Sequence, residues 1–249
     1  MRKPSLSIIG IVSVLCLPAA ARAQEATSSP IKGRWALSFR GGLDLPLSGD
    51  VHGGGKGTVL KLPTTVETRS YGDIYGTAFR GEAQVGYGVS ERVELFASGS
   101  YSKESAELQQ VGNVAGLALN AEFAEYKETG LEGGMRYFFS PQSMLKPYFG
   151  LSGGVRFLES NSPTFTVPAA GVTLREVPFY DSSTVATAAA VLGVRYDVGR
   201  SFSLGLETGP RYQGKPDNLS TLVGSGLESI NETGDRWTMP ILFTATLRF

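Results

Sequence analysis

The sequence predicts an all-β chain: an eight-stranded antiparallel up-and-down transmembrane β-barrel with short periplasmic turns and four long extracellular loops. Three observations predict it. Apolar and polar residues alternate with period two through eight segments. The links between those segments alternate between short and long. Aromatic residues on the apolar face gather at the segment ends, with Leu, Val, Ala and Gly between them.

Residues 1–23 read as a signal peptide. Arg2 and Lys3 precede an apolar run from Leu6 to Leu17, and Ala21-Arg22-Ala23 has the small-x-small form of a cleavage site. The run is shorter than the roughly 20 residues a membrane helix needs. Cleavage is expected before Gln24. The single cysteine, Cys16, lies inside this segment, and the residue before it, Leu15, is too large for a lipoprotein site. The mature chain then has no thiol, which excludes a disulfide-stapled domain. Loss of Arg2, Lys3 and Arg22 leaves 20 basic against 23 acidic residues, a net charge of −3. No concentrated basic face points to nucleic acid. No later stretch is long and apolar enough for a spanning helix, so a membrane form must be a closed barrel, because lipid offers no partner for open backbone groups.

Residues 24–32 read as a short polar periplasmic tail and 33–249 as the barrel. The first strand is RWALSFRGGLDL, with Trp35, Leu37, Phe39, Leu43 and Leu45 on one face and Arg34, Arg40 and Asp44 on the other. In the second, Tyr75, Thr77, Phe79, Ala83, Val85, Tyr87 and Val89 oppose Arg80, Glu82 and Gln84. The third runs from Val93 to Tyr101, and the fourth from Thr129 to Phe139 with Glu132 and Arg136 on its polar face. The fifth is Pro147 to Phe157, the sixth Val185 to Val198, the seventh Phe202 to Tyr212 and the eighth Arg236 to Phe249. Short links fall at 90–92, 140–146 and 199–201. Long ones fall at 46–73, 102–126, 159–183 and 213–235. Two of these, TVLKLPTTVETRS and TFTVPAAGVTLREV, alternate around a proline. They read either as barrel strands continued above the membrane as hairpins or as irregular loop, and a ten-stranded wall that takes in one hairpin stays open.

A soluble eight-stranded barrel would alternate too, with its apolar face inside. The aromatics favour the membrane. Trp35, Tyr87, Phe139, Phe149, Tyr196, Phe202 and Phe249 fall at one rim, and Tyr75, Tyr101, Phe157, Tyr212 and Trp237 at the other. The polar face carries Arg80, Glu82, Glu132, Arg136, Arg156, Arg195, Glu207 and Arg211, which would pair across a narrow lumen. That charge network reads either as a plug or as a gated ion path. The last strand places Phe243, Leu247 and Phe249 on the apolar face and ends on an aromatic.

With KPYFGLSGGVRF, GVRYDVGRSFSLGLETGPRY and the closing FTATLRF, the chain resembles the OmpA/OmpX-like superfamily of small outer membrane β-barrels over residues 33–249. The resemblance implies an integral outer membrane protein of a Gram-negative bacterium. It also implies that Phe243, Leu247 and Phe249 form the C-terminal signal read by the barrel insertion machinery. The peptidoglycan-binding domain of longer relatives is not expected here.

Catalytic and metal chemistry find little support. His52 is the only histidine and sits in a Gly-rich loop, where no Ser-His-acid arrangement or zinc ligand set is suggested. The segment HGGGKGT departs from a phosphate loop because Gly57, not Ser or Thr, follows Lys56. No catalytic, cofactor or metal residue is therefore expected. The leading reading is a non-enzymatic barrel with a structural or surface-interaction role. Its partners would be membrane lipid, lipopolysaccharide or an extracellular ligand at the loops. The alternative is a small pore or conduit for ions or small solutes, apolar ones among them; Phe165, Val167, Val172 and Phe179 could contribute an apolar pocket at the outer mouth.

Overall fold

The computed structural model describes residues 30–59, 61–217, 230 and 232–249. The signal peptide assigned to 1–23, and the tail as far as residue 29, lie outside the described residues. In chain order the elements are β1 (Trp35–Ser48), β2 (Asp50–His52), β3 (Gly55–Val59), β4 (Leu62–Val66), β5 (Arg69–Ser70), a single helical turn α1 (Tyr71–Ile74), β6 (Ala78–Gly88) and β7 (Val93–Glu104). There follow β8 (Gln109–Val114), β9 (Leu117–Glu122), β10 (Tyr126–Phe138), β11 (Leu145–Leu158), β12 (Thr164–Val167) and β13 (Val172–Leu174). The last are β14 (Ser183–Asp197), β15 (Phe202–Thr208), β16 (Arg211–Gln213) and β17 (Arg236–Arg248).

Eight staves close the wall in the order β1, β6, β7, β10, β11, β14, β15 with β16, and β17, which returns to β1. The seventh stave is split because Gly209, at φ 152°, and Pro210 interrupt it. Proline has no N–H to give to a ladder. At the seam Leu37 pairs with Leu247, and Trp35 and Phe249 exchange backbone hydrogen bonds of 3.0 and 3.1 Å. Closure leaves no open edge in the wall.

Alternation places one set of side chains outward and the other in the lumen. Phe39, Phe79, Leu131, Leu192 and Phe243 are exposed on the outside, while every charged residue of the predicted lumen set is buried. A soluble barrel would have the reverse. Trp35, Tyr87, Phe139, Tyr196 and Phe249 ring the short-turn rim, and Tyr101, Phe157 and Trp237 the other. Rings pack against one another along these belts at a tilt, as in Trp35 with Tyr87 (5.0 Å) and Tyr212 with Trp237 (5.3 Å). An aliphatic band between two aromatic girdles is the surface of a protein that crosses a bilayer as a barrel.

Three expectations are corrected. Tyr75 does not face outward at the outer rim. It follows the helical turn and is buried, because α1 turns the chain inward before β6 begins. The loop hairpins do not extend barrel strands, and no hairpin among the described residues joins the wall. They pair with one another in a second sheet, in the order β13, β12, β9, β8, β4, β3. This sheet includes a hairpin over Gln109–Glu122 that was assigned to loop. The third and fourth staves are also longer than predicted, reaching Glu104 and beginning at Tyr126, because Ser102, Lys103 and Glu104 continue the ladder with Glu128, Lys127 and Tyr126.

Candidate functional site

Two features can carry function: the filled lumen and the crown above it. The lumen comes first because it decides whether anything passes. Alternation brings all eight predicted charges inside, and the structure joins them in two chains of shared carboxylates. Glu207 accepts from Arg40, from Arg136 at 3.4 Å and from the Tyr148 hydroxyl at 2.6 Å. Glu82 takes the other side of Arg40, at 2.5 Å. Glu132 accepts from Arg156, from Arg211 and from Ser152 at 2.9 Å. Arg195 joins the first of these through a carboxylate outside the predicted set. It pairs with Glu94, which also accepts from Arg136 at 3.1 Å. Arg80 pairs with Asp44 and with Glu128, at 3.2 Å to the latter.

Sequence reasoning missed the lumen aromatics. Phe96, Phe138 and Tyr148 fall on the polar phase of their strands, and the guanidiniums lie on them. Arg136 sits 4.4 Å above the Phe96 ring and Arg195 5.0 Å above that of Phe138. Room for Tyr148 comes from Gly193 opposite: a Cβ there would stand 2.2 Å from the tyrosine ring. At the short-turn end Ile31 is buried against Phe138 and Tyr148, so a residue assigned to the tail closes the lower mouth. The side chains of the paired lumen charges are at most 4% exposed.

The crown is built from short local signals. Ala115 and Gly116 both take positive φ, 48° and 81°, which makes the tight turn between β8 and β9. Gly171, at φ 64°, ends the turn between β12 and β13. Thr64 of β4 pairs with Val114 of β8, and Thr164 of β12 with Glu122 of β9, so three hairpins from three loops form one sheet. Its floor is an aromatic cluster on the barrel rim. Tyr75 and Tyr126 lie 5.5 Å apart, and Asn161 donates to the Tyr75 hydroxyl at 3.0 Å and to the Ala124 carbonyl at 3.1 Å. The Arg236 guanidinium, held by Glu104, supports Tyr71 and Tyr126 from below at 4.7 and 4.8 Å. Burial pushes the Tyr71 hydroxyl up to about 12 although Arg236 acts against it.

Against the sheet lies a cavity of about 210 Å³. Period two aims one face of the sheet at it: Leu62, Thr64 and Val66, Leu117 and Leu119, Phe165 and Val167, Val172 and Leu174. Phe165, Val167, Val172 and Phe179, singled out from the sequence, all line it. His52 and Thr64 are the lining residues with polar side-chain atoms, and the Thr64 hydroxyl donates to the Leu62 carbonyl at 3.1 Å. His52 is 2% exposed, stacked on Phe123 at 6.0 Å and edge-on to Phe179 at 6.3 Å. Its Nδ1 lies 3.0 Å from the Gly53 carbonyl, which can only accept, so the proton is on Nδ1. Nε2 has no hydrogen-bond partner among the described residues. Burial holds the imidazole below its ordinary value; the Gly53 carbonyl and Asp50 oppose this, and Arg69 adds to it.

No family model matches the chain, and no curated protein matches it. Solved structures similar to it are outer membrane and surface proteins. Ail, the attachment invasion locus protein of Yersinia pestis, is 11% identical with a TM-score of 0.41, over 88% of this chain and 100% of Ail. Neisserial surface protein A is 14% identical with a TM-score of 0.43, over 88% of this chain and 98% of that one. The outer membrane protein OprG from Pseudomonas aeruginosa is 11% identical with a TM-score of 0.41, over 90% of this chain and 98% of that one. On its own closed wall and girdled apolar surface, the chain is an integral membrane β-barrel of eight antiparallel strands.

Proposed function

We propose that the protein is a non-enzymatic surface receptor: a plugged barrel that anchors a folded crown outside the cell, with the crown as its working surface. The observation that carries this reading is the joining of three loop hairpins into one six-stranded sheet with its own buried core. Unconstrained loops would not pair in this way, because ordering them costs about 1–2 kcal/mol of backbone entropy per residue. The lumen argues against the conduit reading, since its charges are paired and buried from Arg80 down to Arg195. The environment of His52 argues against hydrolysis. Its Nδ1 is bonded to a backbone carbonyl and not to an acid, and its ring lies between Phe123 and Phe179.

The test is a crown-trimmed chain in which residues 53–68, 109–122 and 162–176 are replaced by short turns. The trimmed barrel should still insert and still migrate differently on gels before and after boiling. Cells displaying it should lose adhesion to lipopolysaccharide-coated and matrix-coated surfaces relative to cells displaying the full chain. Equal adhesion by both would overturn the reading.

A further inference from the structure

We infer that the outward face of β6, β7 and β10 carries a binding site for a phosphorylated lipid with several acyl chains, the lipid A anchor of lipopolysaccharide. The site needs the crown end to lie at the outer leaflet, as the receptor reading does, and is independent of what the crown binds. A cation pair at headgroup height and a hollow beneath it carry the inference.

The cation pair follows from the register. Lys103 on β7 stands directly opposite Lys127 on β10, and both fall on the outward phase of their strands. Like charges so placed repel and destabilise a sheet. The outward pair before them is Tyr101 with Thr129, and Thr129 is paired in turn with Phe157. The lysines therefore start about 6.6 Å above the girdle of Tyr101 and Phe157, a rise of two residues. Aromatic girdles mark the level where hydrocarbon gives way to headgroups. Glu125 touches both lysines, at 2.7 and 3.3 Å. The three side chains are 33–44% exposed, and such surface pairs hold weakly. One carboxylate against two ammoniums leaves the cluster positive.

The hollow lies just below, toward the midplane. Gly81, Ala83 and Gly99 form its floor, and Phe39, Tyr101, Leu131 and Phe157 stand around it. Gly81 pairs with Tyr101, and Ala83 with Gly99 in the row beneath. Nothing in the wall requires Gly81. It is not among the positive-φ glycines, and a Cβ there would meet nothing within 4 Å. Glycine inside a strand costs stability relative to alanine, so the wall alone gains nothing from this floor. An acyl chain lying on it gains packing against Phe39, Leu131 and Phe157. At about 680 Å³ the hollow is roughly four times the volume that holds a benzene ring, so it admits more than one chain. Both features select the lipid. A phosphate monoester carries about −1.5 to −2 charge near pH 7 and suits two ammoniums better than a singly charged phosphodiester. Several chains under one headgroup suit a broad hollow.

The test uses the refolded full chain in maltoside micelles, titrated with diphosphorylated lipid A and with phosphatidylglycerol. Native mass spectrometry counts the lipids retained. The expected result is one lipid A, held roughly tenfold more tightly than phosphatidylglycerol. Lys103→Gln with Lys127→Gln should weaken lipid A roughly tenfold. Gly81→Leu, which fills the hollow, should weaken it roughly threefold to tenfold. Ala190→Leu, at an outward position of β14 away from the hollow, should leave it unchanged. The change in gel migration on boiling confirms that each variant is folded. Lipid A held equally by the full chain and by the lysine and glycine variants would overturn the site, as would no retained lipid. Phosphatidylglycerol held as tightly as lipid A would overturn the assignment to lipid A. None of these results touches adhesion by the full and trimmed chains, so failure of the lipid site and failure of the crown reading remain distinguishable.

Discussion

Arg195 and Glu94 face each other across the lumen from β14 and β7 and are joined by two hydrogen bonds, Nη1 to Oε2 at 3.0 Å and Nη2 to Oε1 at 3.2 Å. The fork matches the carboxylate, and the same carboxylate also holds Arg136. Removing Glu94 therefore leaves the buried Arg195 guanidinium without its carboxylate and takes one of two carboxylates from Arg136, whereas removing Arg195 leaves Glu94 a partner. Glu94→Ala should cost about 3–5 kcal/mol, and Arg195→Met distinctly less. The temperature at which the folded gel band is lost measures both. Equal losses would mean that Glu94 is not shared.

Gly193 and Tyr148 make a second testable joint. Gly193→Ala places a methyl group inside the Tyr148 ring, which must move and release its bond to Glu207. The expected cost is about 1–3 kcal/mol. Tyr148→Leu in the same chain should make the alanine much better tolerated, which a double-mutant cycle on the same gel assay would show.

The crown should loosen in acid. Burial disfavours the charged imidazole, so the unfolded crown binds a proton at His52 more readily than the folded one. The contribution of His52 to stability is complete above the ordinary imidazole value of 6.5 and is lost as pH falls below it. Arg69 strengthens this trend, and Asp50 and the Gly53 carbonyl weaken it. Protease cleavage of the crown should rise from about pH 7.5 to about pH 5. His52→Phe should flatten that rise, and an unchanged rise in the variant would contradict the assignment.

Phe243, Leu247 and Phe249 all point outward, at 69%, 49% and 71% exposed, and Phe249 closes the seam with Trp35 through its backbone. We propose that their side chains act during insertion and not in the finished wall. Phe249→Ala should cut the amount of barrel assembled in cells several-fold, while refolded protein keeps its melting temperature within about 1 kcal/mol of stability. A large loss of stability in vitro would assign Phe249 a packing role.

The wall was legible because period two repeats through eight segments, turn length alternates through the seven links between them, and aromatics recur at the segment ends. The lumen charges were legible as inward positions but not as pairs. Which staves face across a barrel depends on its stagger, and nothing local to Arg195 reveals that Glu94 is its partner. Phe96, Phe138 and Tyr148 were missed because they occupy polar-phase positions, and phase alone would have found them. The hairpin at Gln109–Glu122 carried a usable signal in Leu117, Leu119 and Ala121 after Ala115-Gly116, on strands too short to stand out. The burial of His52 was not legible. It follows from β2 pairing with β5, where His52 meets Arg69, and from Phe123 and Phe179 arriving out of two other loops.

The most direct test of a plugged barrel that works through its crown is single-channel recording of the refolded chain in a planar bilayer, with the crown-trimmed variant beside it. Both should be silent, because the block lies among Arg40, Glu82, Arg136 and Glu207 inside the wall. Steady conductance by the full chain, or a channel opened by trimming, would contradict the account and return the conduit to first place.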